Sequence, residues 1–265
     1  MVLDLISNSV SLTTGQIQKL ADRHFGIGFD QLLQVEPPSS PGIDFNYRIF
    51  NADGNEVEHC GNGARCLANF VRQKGLSNKN PLTVKTINRV LSIHTSGQKE
   101  VTVDMGQPVF SPGEIPFLAD SASKTYTRFI PLNGHKTNVE FCALSMGNPH
   151  VVIIVEDLDK TAVKDIGEAL GKHIDFPEGV NVGFAQIISR NEINVRVHER
   201  GAGETLACGT GACAAMVAGC LLDSLDDAVK VNLKGGYLTV KWQGQASPVL
   251  MTGPVCTVYE GVIEL

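Results

Sequence analysis

The chain of 265 residues contains the same turn twice. Residues 48–66, RIFNADGNEVEHCGNGARC, overlay 196–214, RVHERGAGETLACGTGACA, without a gap, so that Arg48 meets Arg196 and Cys60 meets Cys208. Gly61, Gly63 and Ala64 fall on Gly209, Gly211 and Ala212 in the same overlay. Upstream, GFDQLLQ at 28–34 echoes GFAQIIS at 183–189, the loop PPSSPGI absorbing the change of offset. A period near half the chain predicts two similar halves, because solenoid repeats run only to roughly 20–50 residues.

Local patterns fill in those halves. In TTGQIQKLADRHFG, Thr13 and Gln16 can form a capping box, Ile17, Leu20 and Ala21 share a face, and Gly26 is the expected stop of a helix. DFNYRIFN, LTVKTI, LSIHT and EVTVDMG read as short strands. After Gly106-Gln107-Pro108 the pattern restarts, with strands near 139–144, 151–155, 182–188 and 193–198 and a helix near 161–170. Behind Cys60, Ala64, Leu67, Ala68 and Val71 recur at helical spacing up to Gly75. Behind Cys208, GACAAMVAGCLL is apolar on every side and predicts a core helix. Strands in runs with few helices predict an α+β fold with mixed, mostly antiparallel sheets, each wrapped around its own helix.

Composition removes several functions. A hydrophobic fraction of 43% and a charged fraction of 19% are globular values. The net charge is −6 and no Lys/Arg cluster marks a phosphate-backbone footprint, which argues against nucleic acid as a partner. No apolar run reaches the ~20 residues that cross a bilayer, and MVLDLISNSV lacks a basic signal-peptide start, which predicts a cytoplasmic protein. The cysteine count of seven is odd and unlike a disulfide framework. Cys142, Cys220 and Cys256 have apolar neighbours in sequence and are expected to be buried filler.

Cys60 and Cys208 differ from those three. A helix mouth presents unpaired N–H groups and a partial positive charge, which attracts anions and lowers a thiol pKa. Flanking glycines let a ligand approach that backbone closely. Each corner is therefore expected to stabilise a thiolate and hold a carboxylate. A single cysteine at such a turn is commonly a small core residue, but packing gives no reason to keep Gly-x-Gly-Ala behind the thiol twice. The gaps from Cys60 to Cys66 and from Cys208 to Cys213 do not match the C-x₂-C of structural zinc, and no C-x-x-C redox motif occurs. A Cys–His–Asn hydrolase would leave the second thiol unexplained. Two thiols, one ionised and one protonated, suit removal of a proton from one face of a carbon and its return on the other.

The stretches FGIGFDQLLQVEPP, YRIFNADGNEVEHCGNGARCLANFVR, SMGNPHVVI, VNVGFAQI and VHERGAGETLACGTGACAA resemble diaminopimelate epimerase across nearly the whole chain. Proline racemase-like isomerases share the fold and a cysteine pair but not this surrounding set. The resemblance implies two pseudo-symmetric lobes, 1–105 and 106–253, with a C-terminal strand at about 254–265 returning to the first lobe and the active site in the cleft between them. It implies a homodimer that interconverts LL- and meso-diaminopimelate, for lysine and peptidoglycan, with neither metal nor pyridoxal phosphate as cofactor. Cys60 and Cys208 would be the acid/base pair. Gly61, Asn62, Gly209 and Thr210 would bind the α-carboxylate through their N–H groups, and Glu199 the α-ammonium. Arg200 would hold the distal carboxylate, where a bidentate fork suits the geometry. Asn51, Asn148, Asn181 and Gln31 would complete the contacts, with His150 and Glu199 tuning the thiols.

The family pattern usually opens with a strand and a GLGNDF-like segment, whose Asn contributes to the substrate site. MVLDLISNSV resembles the stretch just beyond that segment, so that ligand and strand are expected to be missing here. A sheet deprived of a strand exposes unpaired backbone. The alternative reading is a catalytically silent homologue that binds a ligand.

Overall fold

The computed structural model describes residues 1–57, 61–96, 100–132 and 134–264. In chain order its elements begin with β1 (Val2–Asp4), α1 (Thr14–Ala21), β2 (Gln31–Glu36), β3 (Phe45–Asn51), β4 (Glu56–Val57) and α2 (Gly61–Gln73). Then come β5 (Leu82–Lys85), β6 (Val90–Ser96), β7 (Glu100–Asp104), β8 (Tyr126–Leu132), β9 (His135–Ser145) and β10 (Pro149–Ile154). The last group is α3 (Val163–Gly171), β11 (Asn181–Ser189), β12 (Glu192–Glu199), β13 (Gly203–Thr205), α4 (Gly209–Leu221), β14 (Ala228–Leu233), β15 (Gly236–Lys241) and β16 (Leu250–Pro254). The fold is α+β, and the chain divides into two compact units, Met1–Asp104 with Gly253–Leu265, and Met105–Thr252.

In the first unit the strand order is β1-β2-β3-β5-β6-β7, and in the second β16-β15-β14-β12-β11-β10-β9-β8. From β1 to β6 the pairings run parallel, antiparallel, parallel, antiparallel. From β10 to β15 they run in the same sequence. The duplication read from one turn therefore extends to the whole sheet, with β8 and β9 added in the second unit. Register corrects one part of it. Leu33 pairs with Ile49, and Gly183 pairs with Val197, the residue that overlays Ile49. The strand counterpart of Gly183 is thus Leu33 and not Gly28, which precedes β2 at φ +79°. The echo between 28–34 and 183–189 is one of composition and does not reflect strand register.

Helix α1 has the predicted box, Thr13 Oγ1 accepting from the Gln16 N–H at 3.3 Å while Gln16 Oε1 accepts from the Thr13 N–H at 2.9 Å. It ends at Ala21, ahead of Gly26, because the Asp22 carboxylate accepts from the N–H groups of His24 and Phe25 and turns the chain out of the helix. Helix α2 buries Ala64, Leu67, Ala68 and Val71 completely, and Gly75, at φ +65°, closes it with its N–H on the Arg72 carbonyl at 3.1 Å. Helix α4 is buried from Gly209 through Gly219, as its all-round apolarity requires. In the second unit an aromatic cluster of Phe117, Tyr126, Phe141 and Phe176 fills the space beside α3, with Phe117 stacked on Phe176 at 4.6 Å.

The expected C-terminal strand is shorter and earlier, at Leu250–Pro254. The segment beyond it carries no strand but is tied to α2 by Asn69 and Gln73 on Thr257 and by Lys74 on Glu260. Of the three filler cysteines only Cys142 is buried. Cys220 is half-exposed at the end of α4, where its thiol donates to the Asp226 carbonyl at 3.2 Å, and Cys256 is exposed beyond β16. Apolar sequence neighbours did not imply burial at element ends. Among the described residues no helix is long and apolar enough to cross a membrane.

Each cysteine turn is preceded by the same brace. Arg48 on β3 grips Glu56 on β4 through Nε and Nη2 at 2.9 and 2.8 Å. Arg196 on β12 grips Glu204 on β13 at 2.7 and 3.0 Å, and Lys234 adds a third contact at 2.7 Å. Paired with Arg196 and then Lys234, the Glu204 carboxyl is held down to about 2, from 4.5. A folded pKa below the unfolded value means that the stabilisation is complete above about pH 4.5 and is lost as pH falls toward 2. Glu204→Gln should therefore lower stability at neutral pH and flatten its acid limb, as read by urea midpoints across that window. An unchanged acid limb would show that Glu204 is not the group titrating there.

Candidate active site

Cys208 sits at the N-cap of α4 with extended backbone, φ −127° and ψ 111°. Its sulfur accepts from the Gly211 N–H at 3.4 Å and lies 3.5 Å from Thr210 Oγ1. A Cβ on Gly211 would come within 2.8 Å of the Val197 side chain and 3.2 Å of the Cys208 sulfur, so the second glycine of the motif is required by close packing. Helix geometry leaves the N–H groups of Gly209 and Thr210 without intrahelical acceptors.

The thiol is 5% exposed, and burial, followed by the charge of Glu199, pushes it up to about 12. This corrects the expectation of a stabilised thiolate at this corner. The contacts from Thr210 and Gly211 do favour the thiolate, but desolvation in a nearly closed site outweighs them. Cys208 rests protonated.

Glu199 ends β12, opposite Gly203 on β13, and the Thr205 hydroxyl donates to its Oε1. Thr205 was not singled out in the sequence, nor were Glu56 and Glu204, although the ungapped overlay aligns those two glutamates. Asn181, 4% exposed, donates to the Pro149 carbonyl at 2.9 Å and accepts from the Arg200 N–H at 3.0 Å. Its amide thus fixes the Arg200 turn. Arg200 is exposed, with Nη1 on the Glu178 carbonyl at 2.9 Å and its stem over Gly179, which adopts φ +71°. His150 is fully buried, with Nε2 3.1 Å from Asn148 Oδ1. Burial, with Arg200 adding repulsion, pushes its pKa down to about 3, so the ring is neutral. Asn148 Nδ2 in turn donates to Thr210 Oγ1 at 3.4 Å.

The second unit therefore brings Asn148, His150, Asn181, Glu199, Arg200, Cys208, Gly209 and Thr210 into one neighbourhood at the mouth of α4. In the first unit Gln31 and Asn51 are register partners on β2 and β3, with Gln31 Nε2 on Asn51 Oδ1 at 3.1 Å. Gly61 and Asn62 open α2, and the buried Oδ1 of Asn62 has no partner among the described residues. Cys60 lies outside the described residues. Extended by one residue, the β11–β12 register sets Asn181 opposite Glu199. Asn51 thus corresponds to Glu199, as the ungapped overlay already had it, and Gln31 to Asn181, a match that only the strand register reveals.

This duplicated α+β fold is that of racemases and epimerases. It is shared with a probable proline racemase from Agrobacterium radiobacter, solved with bound carbonate, at TM-score 0.63 and 16% identity over 90% of this chain and 77% of that one. A hydroxyproline epimerase from Agrobacterium vitis, with bound trans-4-hydroxy-L-proline, matches at TM-score 0.64 and 15% identity over 89% and 76%. A PhzF-family phenazine biosynthesis protein from Bacillus anthracis matches at TM-score 0.61 and 19% identity over 91% and 85%. The sequence profile of diaminopimelate epimerase matches residues 1–111 and 142–258. The chain belongs to the diaminopimelate epimerase family, and its class is isomerase.

Proposed function

We propose that the protein interconverts LL- and meso-diaminopimelate, with Cys60 and Cys208 as the two acid/base groups serving opposite faces of the α-carbon. The observation that carries this reading is Cys208 at the mouth of α4, between the Glu199 carboxylate and the open N–H groups of Gly209 and Thr210. Those N–H groups suit the α-carboxylate and gain strength as negative charge develops on it when the α-proton leaves. Glu199 suits the α-ammonium. Protonated Cys208 is the group able to return a proton, while the opposing thiolate removes one; the reverse reaction exchanges the roles.

Arg200 suits the distal carboxylate. It is exposed, its backbone is pinned by Asn181, and one guanidinium nitrogen is anchored on Glu178, while among the described residues the others are left for an anion. A proline racemase-like activity is the competing reading, supported by the fold of the neighbours, but proline has no second carboxylate for Arg200 to hold. Chiral analysis after incubation with LL-diaminopimelate, L-proline and trans-4-hydroxy-L-proline separates the two. We expect turnover of diaminopimelate alone, and Arg200→Ala to lower kcat/KM on the order of 100-fold, as loss of a charge-assisted contact to the substrate does. Preferential turnover of either proline substrate would overturn the assignment.

A further inference from the structure

We propose that His150, Asn148 and Thr210 form a directional hydrogen-bond chain ending on Cys208, with Asn148 orienting the ring and Thr210 presenting its hydroxyl hydrogen to the sulfur. This deepens the two-thiol reading above and rests on it for its catalytic consequence. The direction comes from donor chemistry. Asn148 Oδ1 carries no hydrogen, so at 3.1 Å the His150 Nε2 must be the donor, leaving the lone pair on Nδ1. Asn148 Nδ2 can only donate, and its partner at 3.4 Å is Thr210 Oγ1. With that lone pair occupied, the Thr210 hydrogen is free to turn to the Cys208 sulfur at 3.5 Å. Every link thus points the same way, and each donor polarises the next.

The elements make the chain stiff. Asn148 immediately precedes β10 and His150 lies at its start, His150 is wholly buried, and Thr210 lies in the first turn of α4 at 8% exposure. The charged group acting on Cys208 is Glu199 from β12, which opposes ionisation, while burial, with Arg200 adding repulsion, keeps the His150 ring neutral. Glu199 and burial hold Cys208 as a thiol at rest. When a substrate ammonium neutralises Glu199, the donor chain and the Gly211 N–H remain to stabilise the thiolate. A single cysteine can then serve as acid in one direction and base in the other. Asn148 and Thr210 are, on this account, positioning residues for Cys208, in addition to any contact with substrate.

The test uses the unliganded full chain, so that it is independent of which substrate is correct. The pH dependence of Cys208 alkylation by iodoacetamide, resolved by peptide mass spectrometry, is compared for the wild type, Thr210→Val, Thr210→Ser and Asn148→Asp. Thr210→Val removes the final donor, and Asn148→Asp turns the Thr210 hydroxyl away from sulfur toward a carboxylate. Both should slow alkylation at mildly alkaline pH about tenfold, one unit of thiol pKa, while Thr210→Ser retains the wild-type profile. Nitrogen-15 shifts should show His150 protonated at Nε2 in the wild type. A Thr210→Val profile equal to wild type in a folded sample, or a ring protonated at Nδ1, would overturn the chain even if the protein epimerises diaminopimelate.

Discussion

Cys208→Ala is expected to abolish epimerisation, with kcat/KM falling on the order of 10³-fold or more, the scale of one general acid/base group. Among the described residues the thiol is the titratable group at the α4 mouth placed to move a proton there, since Glu199 is engaged by Thr205 and His150 is neutral and buried. Loss of the N-cap contact from sulfur to the Gly211 N–H should cost about 1 kcal/mol of stability. The fold should survive, because α4 is buried along its length in the second unit. Such a variant should still exchange the α-proton of one stereoisomer if the other thiol acts alone on its face, without producing the second isomer. Stereoinversion at near wild-type rates by a folded Cys208→Ala sample would remove the two-thiol mechanism.

The second large effect is on stability, in the first unit. A Cβ on Gly63 would stand 2.2 Å from Tyr47 Oη and 3.0 Å from Leu33 Cδ2. Both neighbours are buried, Tyr47 at 1% exposure and Leu33 at 4%, and both belong to strands paired on each side, so neither can withdraw cheaply. Alanine gains about 1 kcal/mol in helix propensity over glycine. Overpacking of a tight core costs about 1–3 kcal/mol, and a contact this short belongs at the upper end. Gly63→Ala should therefore destabilise by about 2 kcal/mol net in urea titration. At Gly211, where the nearest atom is 2.8 Å away on a valine methyl, alanine should cost less stability but displace the Cys208 sulfur that lies 3.2 Å off. A Gly63→Ala protein as stable as wild type would mean that α2 does not pack on Tyr47 as described.

The overlay of two turns already contained the duplicated fold, because close packing of a helix on a strand pair demanded glycine at Gly63 and Gly211 alike. Helices α2 and α4 were legible from apolar spacing and from all-round apolarity. Strands β1, β2, β4, β8, β13, β14 and β15 were not recognised, and β16 was placed too late, since short strands depend on their sheet partners more than on their own residues. The residues around Cys208 were legible mainly through resemblance to a family. Their electrostatics were not: the helix mouth argued for a thiolate, and only the packing shows burial and Glu199 reversing that effect. The chain from His150 to Thr210 was equally hidden, because its members meet through β10 and α4, far apart in sequence.

Proton NMR of the reduced protein with LL-diaminopimelate in D₂O tests the central claim most directly. The account predicts loss of the α-proton signal together with appearance of the meso isomer, its α-position deuterated on inversion. A folded, reduced sample that leaves the α-proton in place would contradict it.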